Sequence, residues 1–289
     1  MTTKDFKIGF IGAGRMGTAL ALSLNQAGYT VAGITSRSPA SARLLAGKLA
    51  SAAVYENPRS VAESADLLFI TTPDSAIAEV ADALHVRPGR MVCHISAATP
   101  LEALNTLTAQ GAVTGVFHPL LSAGSRDTTG IPSGISFAVE ASEPLRSILC
   151  AMAAKLDGRV IELSAADRVL YHASAILASN YLVTLVDRAA ALWQGFATRE
   201  QAVTALLPLI RGTIANIETI GTPDCLTGPI SRGDTGTVQQ HLAALAAAAP
   251  DILDLYQVMG QATIPLALNR GGINTIQAAE LKELLEAQS

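Results

Sequence analysis

The chain begins with a short apolar run that leads directly into a glycine-rich turn and then into a helical pattern. Residues 8–11 form the apolar run, GAGRMG follows at residues 12–17, and residues 18–24 have the apolar spacing of a helix. A strand, a tight turn and a helix start in this order are typical of the G-x-G-x-x-G turn, in which a pyrophosphate lies against the free N–H groups of the helix. The pattern therefore predicts a dinucleotide site.

Each glycine of this turn has its own predicted purpose. Gly12 permits the tight turn, Gly14 lets the pyrophosphate approach the backbone, and Gly17 lets the helix pack closely against the strand. Arg15 and Met16 lie between the last two glycines and are predicted to belong to the cofactor site as well.

The residues that follow the second predicted strand indicate which dinucleotide binds. A site selective for NAD places Asp or Glu there to bond the ribose 2′-hydroxyl, but residues 29–46 contain no acid. Instead, Arg37 stands between Ser36 and Ser38, and a guanidinium flanked by two hydroxyls suits a 2′-phosphate. We therefore expect NADP(H); the alternative is that Arg37 is a solvated loop residue.

Composition limits the possible partners. The chain has 289 residues, of which 49% are hydrophobic and 15% charged, so we expect a large core, two domains and an apolar surplus at a subunit interface. A net charge of −4 argues against a nucleic-acid partner. Neither a signal-peptide pattern nor an uninterrupted apolar run of membrane-spanning length is present, so we expect a cytoplasmic protein with no membrane partner.

The arrangement of strand and helix patterns predicts two domains. The first half alternates between the two, as a doubly wound parallel sheet requires, whereas the chain looks helical from about Ser164 to its end, beginning with one long helix that reaches Gly195. We predict an α/β fold with a dinucleotide-binding domain at residues 1–162 and an all-helical domain for substrate binding and dimerisation at residues 163–289.

Further cofactor candidates follow the later strands, because ligands of such sheets bind beyond the carboxyl ends of the strands. They are Thr71, Thr72 and Pro73 after the fourth strand, Ser96 after the fifth and His118 at the end of the sixth. We expect Ser96 and His118 to lie nearest the nicotinamide. His94 is expected to be a core histidine with its hydrogen bonds satisfied, and Asp74 is expected to cap the following helix.

Two polar residues share one face of the predicted long helix. His172, Ile176 and Asn180 are spaced i, i+4 and i+8, and polar groups on an apolar helix need partners or a cleft. His172 is a candidate proton donor to a developing alkoxide, since histidine titrates near neutrality. Asn180 could hold the carbonyl oxygen or carboxylate of a substrate; a structural role is the alternative for either residue.

A second polar cluster lies at residues 226–241, LTGPISRGDTGTVQQH. Arg232 is predicted to clamp a substrate carboxylate. Asp234 could orient Arg232 or a histidine, or it could cap the next helix. The histidines of the chain lack metal-ligand spacing, so no metal site is expected.

Several segments resemble known families. GFIGAGRMGTAL, TSRS, ADLLFITTPD and FHPL resemble the superfamily of pyrroline-5-carboxylate reductase and the F420-dependent NADP oxidoreductases. YHASAILASNY and LTGPISRGDTGTVQQHL are similar to bacterial proteins with a Rossmann-like domain and a DUF2520 domain. The resemblance covers nearly the whole chain and implies a Rossmann domain that binds NADPH, a helical C-terminal domain and a homodimer formed largely through it. Some members of that group are regarded as an alternative kind of ketopantoate reductase.

One departure from related dehydrogenases affects the expected mechanism. β-Hydroxyacid dehydrogenases place a catalytic Lys on the interdomain helix one turn before an Asn, whereas here Ile176 precedes Asn180 and the helix has no Lys. The Lys mechanism is therefore not carried over, and His172 is the nearest substitute on that face. Reduction of a cyclic imine remains open, because its nitrogen can arrive already protonated.

Together these observations predict an NADPH-dependent reductase of a small carboxylate-bearing carbonyl compound, with ketopantoate (2-dehydropantoate) the leading candidate. Arg232 would bind the carboxylate, His172 would supply the proton and Asn180 would orient the carbonyl. The alternatives are an imine reductase of the pyrroline-5-carboxylate type and a non-catalytic NADP-binding sensor whose helical half engages a protein.

Overall fold

The computed structural model describes residues 6–122 and 130–286. The chain folds into two compact units, one that ends at Ser179 and one that begins at Asn180. The domain limits 1–162 and 163–289 stay a prediction. Lys4 and Asp5, which directly precede the first predicted strand, and Ala287, at which the sequence pattern predicts that the last helix ends, lie outside the described residues.

Eight strands of the N-terminal unit form a single sheet. They are β1 (Lys7–Ile11), β2 (Thr30–Thr35), β3 (Ala53–Val54), β4 (Leu67–Ile70), β5 (Met91–His94), β6 (Val113–Pro119), β7 (Ser136–Ala141) and β8 (Arg159–Glu162), in the spatial order 3-2-1-4-5-6-7-8. Strands β1 to β6 are parallel, β7 runs antiparallel to β6, and β8 is parallel to β7. The predicted doubly wound α/β fold is confirmed, and the sheet is mostly rather than wholly parallel.

Twelve α-helices lie within the described residues. Those of the N-terminal unit are α1 (Arg15–Gln26), α2 (Pro39–Ala46), α3 (Pro58–Ser64), α4 (Ile77–Ala83), α5 (Asn105–Ala109), α6 (Leu145–Lys155) and α7 (Arg168–Ala178). Those of the C-terminal unit are α8 (Asn180–Ala191), α9 (Arg199–Thr219), α10 (Thr235–Ala248), α11 (Pro250–Asn269) and α12 (Thr275–Glu286). The predicted helical character of the chain after Ser164 is confirmed.

A row of phenylalanines holds the strands of the sheet together. Phe10 of β1 stacks on Phe69 of β4 at 5.4 Å between ring centroids, Phe69 lies 6.0 Å from Phe117 of β6, and Phe117 stacks on Phe137 of β7 at 4.7 Å. All these rings are fully buried. Offset and tilted rings at these distances are favourable pairs, so the row fixes the strands whose ends carry the predicted site.

The prediction of one long helix up to Gly195 is wrong. Helix α7 ends at Ala178, Ser179 has φ −117° and ψ −68°, and α8 begins at Asn180. The side chains of Ser and Asn compete for backbone hydrogen bonds, which favours a helix end at such a pair. His172 and Asn180 therefore do not lie on one uninterrupted helix.

Helix α11 is longer than predicted. The sequence pattern predicts a helix from Asp251 to Gly260, but α11 continues to Asn269. A Cβ atom at Gly260 would lie 2.9 Å from Cδ2 of Leu285 on α12. This glycine therefore permits close helix packing and does not end the helix.

Three helices bury very little. Each of α7, α8 and α9 buries a single residue, namely Arg168, Ala190 and Ala202 respectively. Their exposed large apolar side chains are Val169, Leu170, Leu177, Tyr181, Leu182, Val183, Leu207, Leu209, Ile214 and Ile217. By length and composition alone, Arg168–Ala191 is the one segment of the described chain that could cross a membrane, and it contains the interruption at Ser179.

Candidate functional site

The glycine turn after β1 is held by the end of β4. Gly12 has φ +113°, a conformation that disfavours other residues, and its N–H donates to the carbonyl of Thr35 at 2.8 Å. The hydroxyl of Thr71 donates to the Gly12 carbonyl at 2.7 Å. A Cβ atom at Gly12 would lie 2.6 Å from the Thr71 carbonyl oxygen, so only glycine fits here.

The other two glycines differ in what surrounds them. A Cβ atom at Gly17 would lie 2.6 Å from Oγ1 of Thr71, whereas a Cβ atom at Gly14 would have nothing within 4 Å. Gly14 is the N-cap of α1 and supplies no side-chain cap, and the first turn of α1 carries no acid. A helix N-terminus beside open space fits a pyrophosphate.

A cleft of about 480 Å³ lies beside this turn. The predicted cofactor residues that line it are Gly12, Gly14, Ser36, Arg37, Ser38, Thr71, Thr72 and Pro73. Those that do not line it are Arg15, Met16, Gly17, Ser96 and His118. Sequence reasoning missed Ile11, Thr35, Ser41, Glu56, Pro58, Ala76, Glu79 and Val80. Glu56 follows β3, so the rule that strand ends meet at one edge would have found it.

The hydroxyls that follow β2 form a connected set. The N–H and the hydroxyl of Ser41 donate to Oγ of Ser38 at 3.3 and 3.0 Å, which makes Ser38 the N-cap of α2. The N–H of Ser38 donates to Oγ of Ser36 at 3.3 Å. The exposed Arg37 lines the cleft between them. The set combines hydroxyl and backbone donors with a guanidinium, which suits a phosphate.

Two residues follow β4 in the chain: Asp74, which does not cap α4 as expected, and Thr72, whose hydroxyl has no hydrogen-bond partner among the described residues. The expected capping of α4 by Asp74 is wrong, because a 3₁₀ turn (Asp74–Ala76) comes first and α4 has Ala76 as its N-cap with no side-chain hydrogen bond. Oγ1 of Thr72 is buried and has no hydrogen-bond partner among the described residues. An unpaired hydroxyl in the wall of the cleft is consistent with a polar ligand.

His94 lies at the end of β5 and is fully buried, as expected, but only one ring nitrogen is satisfied. Nδ1 accepts the N–H of Ser96 at 3.2 Å, and Nε2 has no hydrogen-bond partner in the described part of the chain. Burial and, to a smaller extent, the charge of Arg168 lower the pKa of His94 to about 4, although the Pro100 carbonyl acts to raise it. The Ser96 hydroxyl accepts the N–H of Thr99 at 2.9 Å and so stabilises the turn after the strand.

A second polar cluster lies where β6 ends. Nδ1 of His118 and the hydroxyl of Tyr171 on α7 are 2.9 Å apart, and the two rings meet edge to face. Burial and, to a smaller extent, His172 lower the pKa of His118 to about 4. Burial raises the pKa of Tyr171 to about 12. The guanidinium of Arg168, which begins α7, is buried and pairs with Glu140 of β7.

The remaining predicted catalytic residues lie in both units. His172 is half-buried on α7, close enough to His118 to affect its pKa. Asn180 and Arg232 are exposed residues of the C-terminal unit. Whether His172, Asn180 and Arg232 converge on a substrate therefore stays a prediction.

Asp234 caps α10, which was one of its two expected roles. Its carboxylate accepts the N–H of Thr237 at 3.0 Å and the hydroxyl of Thr237 at 2.7 Å. These hydrogen bonds lower the pKa of Asp234, and the charges of Arg232 and His241 lower it further. No group of three or more potential metal ligands occurs within residues 6–122 and 130–286.

Comparison with protein families and solved structures agrees with this architecture. Residues 1–119 match the model of a Rossmann-like domain, and residues 135–263 match the domain of unknown function DUF2520. The chain thus carries a Rossmann-like domain followed by a DUF2520 domain. No curated protein matches the chain.

Three solved structures illustrate the similarity. BF3122 from Bacteroides fragilis, assigned as an NADP oxidoreductase, is 26% identical, with a TM-score of 0.70 over 90% of this chain and 98% of that one. Pyrroline-5-carboxylate reductase from Streptococcus pyogenes is 18% identical, with a TM-score of 0.62 over 96% and 98%. A reductive aminase from Aspergillus terreus, solved with NADPH and ethyl-5-oxohexanoate, is 17% identical, with a TM-score of 0.59 over 99% and 93%. The last two share the fold.

The different surroundings of Gly14 and Gly17 make a matched pair of substitutions informative. We expect Gly14→Ala to keep the free energy of unfolding within about 0.5 kcal/mol of wild type, but to weaken NADPH binding by about tenfold or more, because its methyl group occupies the space the pyrophosphate needs. Gly17→Ala should instead destabilise the protein by about 1–3 kcal/mol through its clash with Thr71. Urea unfolding and NADPH fluorescence titration measure both effects. Wild-type NADPH affinity in Gly14→Ala would place the pyrophosphate elsewhere.

Proposed function

We propose that this chain, a Rossmann-like domain followed by a DUF2520 domain, is an NADPH-dependent reductase of a small carboxylate-bearing compound with a C=O or C=N bond. The observation that carries the proposal is the cleft beside the glycine turn, which joins an uncapped helix N-terminus to Arg37 and the neighbouring serine hydroxyls. Such a cleft provides separate places for a pyrophosphate and a 2′-phosphate.

The cofactor assignment is supported in two ways. The only carboxylates in the cleft lining are Glu56 and Glu79, and neither belongs to the segment after β2 where an NAD-selective acid stands. The similar proteins include an assigned NADP oxidoreductase and an enzyme solved with NADPH. When bound, NADPH would supply the hydride, and the protein would supply position and charge.

The substrate class follows from the residues that the chain offers and lacks. Arg232 is an exposed guanidinium within the DUF2520 segment, suited to a substrate carboxylate, and ketopantoate is the leading carbonyl candidate. Between Lys155 and Lys282 the sequence contains no Lys, so helices α7 to α11 supply no Lys as a proton donor. An imine that arrives protonated needs none, and the shared fold with pyrroline-5-carboxylate reductase and a reductive aminase supports this second candidate.

The first test is NADPH consumption by the purified protein with ketopantoate and, in parallel, with pyrroline-5-carboxylate. Turnover of ketopantoate alone would support a 2-oxo acid reductase, and turnover of the imine alone would favour the second candidate. NADPH binding without turnover of either compound would contradict both candidates and favour the sensor alternative. Absence of NADPH binding would overturn the proposal.

Arg37 provides a test of cofactor choice. A charged hydrogen-bonded pair contributes about 1.5–3 kcal/mol, so Arg37→Ala should weaken NADPH binding by about ten- to a hundredfold and change NADH binding little. Arg43 is also exposed on α2 but does not line the cleft, so Arg43→Ala is the matched control. Titration of both cofactors against the three proteins measures the effect; equal weakening of NADPH and NADH by Arg37→Ala would contradict the assignment.

We also propose that the chain forms a homodimer through the apolar surfaces of α8 and α9. An exposed apolar area of this extent on a monomer is unusual and marks an interaction surface. A lipid environment suits it poorly, because Asp187 and Arg188 lie within α8 and pair with each other and with Arg199 and Asp251. A second copy of the chain covers such a surface without placing these charges in hydrocarbon.

Leu209 of α9 and Ile276 of α12 test the dimer, since their exposed fractions are 67% and 69%. Leu209→Asp should shift the protein from dimer to monomer or weaken the dimer strongly, because it places a charge in an apolar interface. Ile276→Asp should leave the dimer intact. Light scattering after size-exclusion chromatography distinguishes these outcomes, and a wild-type monomer, or an unchanged Leu209→Asp dimer, would count against this interface.

A further inference from the structure

We propose that the hydroxyl of Tyr171 gives the proton that carbonyl reduction requires and that His118 positions this hydroxyl. The inference rests on the proposed function and deepens it by naming the acid. His172, the acid predicted from the sequence, then has no direct part in the proton transfer.

The geometry places the Tyr171 hydroxyl at the edge of the sheet where ligands of this fold bind. His118 lies near the carboxyl end of β6, and β6 runs parallel to β5, β4 and β1. Its Nδ1 is 2.9 Å from the Tyr171 hydroxyl, with ring centroids 5.7 Å apart and the planes at 85°. Both residues belong to the N-terminal unit, so this contact lies within one compact body together with the cofactor cleft.

The protonation states suit an acid in this position. With a pKa raised by burial to about 12, Tyr171 keeps its proton at neutral pH. His118, whose pKa burial lowers to about 4, is uncharged there and carries one N–H. When Nδ1 carries that proton, His118 donates to the phenol oxygen, and the phenol proton is left to point at a substrate.

Arg168 supplies the charge that a departing proton needs. Its guanidinium is buried one turn before Tyr171 on α7, and its charge acts to lower the pKa of Tyr171, against the larger effect of burial. Glu140 of β7 pairs with this guanidinium and Glu102 also acts on it. Among the groups that act on His118, His172 lowers its pKa and Asp74 raises it. A phenolate at Tyr171 would thus have a hydrogen-bond donor and a cation beside it.

Carbonyl reduction adds a hydride to the carbon and a proton to the oxygen. The carbonyl carbon would receive a hydride, with its electron pair, from bound NADPH, and the π pair of the C=O bond would move to the oxygen. The O–H bond of Tyr171 breaks and its proton joins that oxygen, so that NADP⁺, an alcohol and a phenolate result. The phenolate regains a proton from solvent. A protonated imine already carries the proton, so its reduction does not need Tyr171.

The chain offers a matched control for this pair. In the C-terminal unit, Nδ1 of His241 lies 2.8 Å from the hydroxyl of Tyr256, and the rings meet edge to face at 5.8 Å between centroids. Burial also raises the pKa of Tyr256. Tyr256→Phe therefore loses the same kind of hydrogen bond as Tyr171→Phe.

The kinetic test compares Tyr171→Phe, Tyr256→Phe and wild type with ketopantoate and with pyrroline-5-carboxylate. We expect Tyr171→Phe to lower kcat for the carbonyl compound by about 10²- to 10⁴-fold, with the KM for NADPH unchanged. Turnover of the imine by Tyr171→Phe should match that of Tyr256→Phe. The wild-type kcat should stay level from about pH 6 to 9, because Tyr171 remains protonated throughout.

Two results would overturn the proposal. One is wild-type carbonyl turnover by Tyr171→Phe. The other is a kcat that falls as pH rises through about 6.5, the usual range of histidine, and loses this dependence in His172→Gln.

A measurement that needs no substrate separates failure of this proposal from failure of the proposed function. If wild type does not reduce the carbonyl compound, the carbonyl reductase function fails. ¹⁵N NMR of His118, assigned with the His118→Asn variant, still shows which ring nitrogen carries the proton and therefore whether His118 donates to the Tyr171 hydroxyl. A proton on Nδ1 supports the proposal. A proton on Nε2 would overturn it, since Nδ1 would then accept a hydrogen bond from the phenol and the phenol proton would not point at a substrate.

Discussion

The contact between Thr71 and the glycine turn is the constraint on which the cofactor cleft depends. Thr71 follows β4, its backbone N–H donates to Ile11, and its hydroxyl donates to Gly12. The same side chain lies against Gly17. One residue therefore sets the path of the turn, the close packing of α1 and the position of the two residues after it, Thr72 and Pro73, in the wall of the cleft. The row of stacked phenylalanines supports this arrangement from within the sheet.

Local patterns allowed the cofactor half to be predicted from the sequence, and longer-range contacts account for what was missed. The glycine turn and Arg37 depend on residues close together in the chain, so their spacing carried the prediction. Tyr171 and His118 are 53 positions apart, and no periodicity links them. The predicted long helix had the correct apolar spacing, but Ser179 ends α7, and spacing gives no information about where such a pattern stops.

Asp234 and Gly260 show a related limit of sequence reasoning. For Asp234, capping and catalysis require the same residue type before a helix, and only the hydrogen bonds from Thr237 identify the cap. Gly260 favours a helix end by propensity, yet packing against Leu285 keeps it within α11. In both places the structural role of the residue depends on its contact with another residue. Helix propensity describes a residue without such contacts.

The Ser38 cap has a consequence for how the cofactor would be recognised. Because Ser38 already accepts hydrogen bonds from Ser41 and Ser36 already accepts one from Ser38, the loop after β2 is ordered before any ligand arrives. The conformational entropy of this loop is therefore lost during folding and not during association. A preorganised loop binds with a smaller entropic penalty, so discrimination between the two dinucleotides should appear mainly in how fast each one leaves and much less in how fast it arrives.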